Sequence, residues 1–206
     1  MKHLKMLGLA VVAAAALTAV IGAGTASATE LCSTATTPCS GTKYLSGTKI
    51  TAVNTTNAVL KTNITTVTCT SSTIKGETTS NGGATAVTGK TTSLEFTGCT
   101  DSGGEECTVT SEFLGNASVS GGEAKKTGKF NYNVTSKTGA NVQCGFFINC
   151  TFFTESTTLA GQNQESGQPT VKAEEEVMKR TGGFCPETST WTATYKVTSP
   201  NPLFVV

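Results

Sequence analysis

Trp191-Thr192-Ala193-Thr194-Tyr195-Lys196-Val197-Thr198 decides the fold class. Successive side chains of an extended chain point to opposite faces. Trp191, Ala193, Tyr195 and Val197 therefore share an apolar face, and Thr192, Thr194, Lys196 and Thr198 share a polar one. The same alternation sets Phe130, Tyr132 and Val134 against Asn131, Asn133 and Thr135, and Val109, Ser111 and Phe113 against Thr108, Thr110 and Glu112. Threonine suits the wet face, because its branched Cβ fits the pleat while its hydroxyl meets water. The chain has 41 threonines. Such segments recur roughly every 8 to 15 residues, punctuated by Gly82-Gly83, Gly103-Gly104, Gly121-Gly122 and Gly182-Gly183. This rhythm predicts an all-β antiparallel sandwich, Ig-like or jelly-roll-like. Only Ala173 to Arg180 offers a helical alternative; the strand reading is preferred there, as an edge whose Glu174, Glu175, Glu176 and Lys179 discourage aggregation.

The 206 residues open on an export signal. Lys2, His3 and Lys5 precede an apolar run from Met6 to Ile21, and Ala26-Ser27-Ala28 supplies a small-x-small cleavage site. The expected organisation is a signal peptide over residues 1–28 and one domain over 29–206. The run is short of the roughly 20 residues that span a bilayer, so no stable membrane anchor is expected after cleavage. Leu31 before Cys32 departs from a lipobox, and Arg180 is the only arginine, which excludes a twin-arginine route.

Cleavage removes the only histidine together with Lys2 and Lys5, leaving 13 basic and 14 acidic residues. A chain without imidazole cannot build a Ser-His-Asp, Cys-His or His-ligated zinc site. Its near-neutral charge gives no field for nucleic acid. Gly89-Lys90-Thr91 imitates the end of a phosphate-binding loop, but Ala84 stands where that loop needs glycine. Calcium finds one aspartate, Asp101, beside Glu105 and Glu106, in what reads as a solvated hairpin tip. Five Asn-x-Ser/Thr sequons, at Asn54, Asn63, Asn116, Asn133 and Asn149, follow from threonine abundance. No catalytic, cofactor-binding or metal-ligating residue is assigned, and no cofactor is expected. The remaining enzyme hypothesis is glycoside hydrolysis by Glu95 and Glu112, two glutamates on the polar faces of neighbouring strands.

Cys32, Cys39, Cys69, Cys99, Cys107, Cys144, Cys150 and Cys185 are an even set in an exported chain and predict disulfides. Cys99 to Cys107 is the best-supported bridge, closing a hairpin around Thr100 to Glu106, and Cys32 to Cys39 staples the start of the mature chain. Cys144 and Cys150 pair only if the strand between them breaks. Cys69 to Cys185 is then left, with Cys69 to Cys99 as an alternative. A faint repeat at an offset of about 39 residues matches Cys69, Gly76 and Gly82 with Cys107, Gly115 and Gly121, and Thr88-Gly89-Lys90 with Thr127-Gly128-Lys129. Coincidence in a Gly- and Thr-rich chain is the preferred account. Phe146, Phe147, Phe152 and Phe153 read as a central strand buried on both sides rather than an exposed patch.

Thr68-Cys69-Thr70-Ser71-Ser72-Thr73, Ser93-Leu94-Glu95-Phe96-Thr97-Gly98-Cys99, and Cys185-Pro186 followed by Trp191-Thr192-Ala193-Thr194-Tyr195, together with the Ala-rich leader, resemble small exported proteins of unknown function from soil actinobacteria. The resemblance implies export and a β-rich fold, and carries no activity. The expected function is therefore a non-catalytic secreted or cell-envelope protein, structural or at the surface. The alternative is an extracellular module binding a cell-wall glycan or a protein.

Overall fold

The computed structural model describes residues 29–82, 86–124, 130–154, 157–181 and 185–206. The leader, and the positions of Gly83, Thr127 to Lys129 and Gly182-Gly183, lie outside the described residues.

The described residues form twelve strands: β1 (Leu31–Cys32), β2 (Lys49–Asn54), β3 (Ala58–Lys61), β4 (Thr66–Thr78), β5 (Val87–Thr100), β6 (Glu106–Ala124), β7 (Phe130–Cys144), β8 (Ile148–Phe153), β9 (Thr157–Gln162), β10 (Thr170–Thr181), β11 (Thr188–Ser199) and β12 (Phe204–Val205). The fold is all-β among the described residues, as the alternation predicts. It is not a sandwich. β2 and β3 are two halves of one strand position, both lying between β11 and β4, and β8 and β9 likewise share the position between β7 and β10. Every neighbouring pair is antiparallel, and β11 returns to β2 and β3, so eight positions close into an up-and-down barrel. Closure removes the unpaired edges that two stacked sheets would leave.

Two strand expectations change with closure. β10 is a strand, but it is paired on both flanks, by β11 and by β8 and β9, so its charges do not guard an edge. An extra residue between Ala173 and Glu176 also breaks its simple alternation. Gly121 and Gly122 lie within β6 instead of separating strands.

The deciding segment behaves as read. Trp191, Ala193, Tyr195 and Val197 are buried. They face the interior with Val67 and Cys69 of β4, Val142 of β7 and Phe152 of β8. The polar partners face outward, which is the reverse of the apolar-out arrangement of a membrane-spanning barrel. Phe113 departs from its predicted inward face: the register shifts between Ser111 and Phe113, and its ring lies half-exposed, edge-on to Phe153 at 6.0 Å.

β1 and β12 form a separate two-stranded ribbon over one end of the barrel. Leu31, Leu203 and Val205 drop from it onto Val87 and Val197. Asn163, fully buried between β9 and β10, donates to Val205 O (2.7 Å) and accepts from Val205 N–H (3.0 Å). Glu30 and Val206 exchange backbone hydrogen bonds, and Leu203 N–H reaches Gly167 O. The Cys32–Cys39 bridge ties down the incoming chain, as expected.

Candidate functional site: the barrel interior

An eight-stranded barrel is just wide enough for its side chains to fill it or to hold one small molecule. Two disulfides decide how much of this interior is occupied at one end. Cys69, Cys99, Cys107 and Cys144 stand in one register row across β4, β5, β6 and β7. The bridges are Cys69–Cys99 and Cys107–Cys144, so the expected Cys99–Cys107 bridge is wrong although those two residues are direct neighbours. The reason is geometric. Bridging the middle pair would strand Cys69 and Cys144 about three strand spacings, or roughly 14 Å, apart, beyond disulfide reach. Cys150 pairs with Cys185, which overturns both the Cys144–Cys150 and the Cys69–Cys185 expectations. The strand does break between Cys144 and Cys150, at the Gly145-Phe146-Phe147 turn where Gly145 has φ 52°, but the two cysteines keep other partners.

Above this row, Trp191, Leu94, Phe96 and Phe152 pack into a waist with a residual void of about 40 Å³. Between the waist and the β1–β12 ribbon lies a cavity of about 220 Å³. Its walls are small or apolar: Ala52, Ile74, Ala117, Val119, Val134 and Leu159 contribute, Trp191 and Tyr195 form one side, and Leu31, Leu203 and Val205 close the top. Gly76 of β4 and Gly89 of β5 leave bare backbone there. A Cβ on Gly76 would lie 2.8 Å from Lys90 O, and one on Gly89 would lie 3.0 Å from Glu77 O. The space exists because these positions carry little or no side chain.

Besides the hydroxyl residues Thr91 and Ser136, the cavity's polar side chains are engaged with one another or with the strands around them. Tyr195 Oη and Ser72 Oγ share a hydrogen bond at 2.9 Å, and burial pushes the Tyr195 phenol up to about 12, the hydrogen bond to Ser72 partly opposing it. Glu77 and Lys90, on its rim, pair at 2.9 Å, and the Lys90 ammonium holds the Glu77 carboxyl below its ordinary range, first by hydrogen bonding and then by charge.

The sequence-predicted residues lie elsewhere. Glu95 is exposed on the outer wall, where the Ser93 hydroxyl (2.7 Å), and after it Lys75 (3.3 Å), lower its pKa, opposite to what a general acid needs. Glu112 is exposed on β6, and neither glutamate lines the cavity. Asp101 Oδ1 accepts the backbone N–H groups of Gly103 and Glu105, which ties its carboxylate to the hairpin tip. Gly89-Lys90-Thr91 lies within β5. Phe146 and Phe147 are fully exposed at the β7–β8 turn, contrary to a strand buried on both sides, whereas Phe152 is interior.

In comparisons with known proteins, no family model, no curated protein and no solved structure matches the chain. Sequence reasoning missed the cavity. Its trace in the sequence is Gly76 and Gly89, brought near each other on β4 and β5 by the register Gly76↔Thr91 and Thr78↔Gly89, which the sequence does not reveal.

Proposed function

We propose that this protein is a non-catalytic, exported binding protein that encloses one small apolar molecule in its barrel. The 220 Å³ cavity carries this reading. A dry apolar cavity of about 150 Å³ is enough to bind benzene, and a purely structural barrel gains more from filling such a space than from keeping it. Four disulfides, with no free cysteine among the described residues, fit an oxidising compartment outside the cytoplasm. No helix among the described residues is long and apolar enough to cross a membrane. The polar exterior supports a protein working in water. For the glycan-binding reading the counterpart is a second pocket of about 360 Å³ beside Phe147, lined also by Thr62, Ile64, Asn149 and Pro186, which gathers no charged side chain and a single aromatic at its mouth.

Thermal denaturation with p-xylene or naphthalene tests it. Either ligand raises Tm in the native chain. Ala117→Leu, which fills the cavity from one wall, removes that shift while keeping the fold. A Tm unmoved by either ligand, or moved equally in Ala117→Leu, overturns the reading.

A further inference from the structure

The cavity has three conceivable ways in. At one end the β1–β12 ribbon is clamped by Asn163, by the Glu30–Val206 backbone pair and by Tyr44 Oη donating to Pro202 O. At the other, the waist of Trp191, Leu94, Phe96 and Phe152 and the inward disulfides block passage. The wall between β5 and β6 is different. Its ladder is regular from Val87↔Val119 to Lys90↔Asn116 and closes at Cys99↔Cys107, but between them it holds a single pair, Glu95↔Thr110. Thr91 to Leu94 and Ser111 to Gly115 face each other without register partners across that stretch. Between Lys90↔Asn116 and Glu95↔Thr110 β6 carries one more residue than β5 and bulges, and β5 carries the extra one between Glu95↔Thr110 and Cys99↔Cys107; bulging weakens pairing. Thr91 and Leu94, on one bank, line the cavity, while Phe113 and Leu114, on the other, are 44% and 41% exposed.

We infer that the cavity takes an uncharged, thin, hydrocarbon-like molecule of about nine or ten non-hydrogen atoms, which passes through the open seam between β5 and β6 past Phe113 and Leu114. This rests on the cavity reading above. The size follows by proportion from the benzene-sized case. The absence of charge follows from the walls: Tyr195 and Ser72 satisfy each other, and Glu77 and Lys90 pair on the rim, so a buried ionic group would meet no charged partner. The ladder also lapses between β10 and the β8–β9 position, where Ala173 to Met178 have no partner on that flank; among the described residues the β5–β6 seam is the lapse bordered on the outside by exposed apolar side chains. Leu114 offers a passing molecule an apolar threshold, beside Phe113, whose ring leans over Gly139 onto Phe153.

Trp191, the only tryptophan, lines the cavity and reports on occupancy. Stopped-flow quenching of its fluorescence by iodobenzene, a neutral heavy-atom quencher, gives association and dissociation rates. Phe113→Ser and Leu114→Ser, both on the surface, are expected to raise the two rates by the same factor, roughly threefold or more, leaving their ratio unchanged. Tyr44→Phe, which loosens the ribbon, leaves both rates unaltered. Rates that respond to Tyr44→Phe and not to the seam variants overturn the route. A changed ratio in the seam variants makes Phe113 and Leu114 part of the binding wall and overturns it equally. Trp191 unquenched in every variant removes the cavity reading itself.

Discussion

Tyr195 shows how much one side chain is decided by its surroundings. Its place on the inner face is readable from the Trp191 to Val197 alternation, but its hydrogen bond to Ser72, 123 residues away, is not. An unfolded tyrosine ionises near 10, and this one near 12 in the fold. Burial therefore stabilises the native state with the phenol neutral. That contribution is intact below pH 10, is lost as pH rises towards 12, and amounts to about 2 to 3 kcal/mol. Alkaline denaturation followed by far-UV circular dichroism should show a steep loss of stability in this window. Tyr195→Phe flattens the pH dependence while costing about 1 to 3 kcal/mol at neutral pH, because Ser72 Oγ is left without its partner. Asn163→Ala, which unties both bonds to Val205, is expected to cost a similar amount, measured by urea denaturation.

At the scale of elements, the alternation predicts strands well and their arrangement poorly. A sandwich and a closed barrel both ask for one dry and one wet face, so β11 reads the same in either. What separates them is whether the last long strand pairs with the first, and the registers Tyr195↔Asn54 and Trp191↔Leu60 are long-range facts. Bulges cause the local failures: Phe113 turns outward where β6 gains a residue. The 39-residue offset takes on a shape here. Cys69 and Cys107 occupy the same level on β4 and β6, each bridged to the strand that follows, and a Cβ on Gly76 or Gly115 would crowd a neighbouring carbonyl, Lys90 O or Lys137 O. Replacing Cys107 and Cys144 together with alanine opens a loop of 37 residues and is expected to cost about 2 to 4 kcal/mol, read from the urea midpoint. The opposite result, a neutral double variant, would mean that register alone holds β6 to β7.

For the whole molecule, the least legible part is the lid over the cavity. β1 and β12 are two residues each, too short to alternate, and they meet only because two segments far apart in the sequence arrive at the same rim. Nothing in Leu203-Phe204-Val205-Val206 says that it tops a barrel. Deleting residues 203–206 should expose the cavity, lower Tm and raise binding of an apolar dye, without unravelling the strands held by the inward bridges. Those bridges also set how the molecule answers force. Sequence separations of 7, 30, 37 and 35 residues place more than half of the described chain inside covalently closed loops. Pulled by its ends, the oxidised protein can therefore pay out only the segments between those loops, well under half the contour length of its reduced form. Tension would meet the β1–β12 ribbon and then β2 and β11, which lie outside the loops, while the sulfur–sulfur bonds would shield the walls built by β5 to β10.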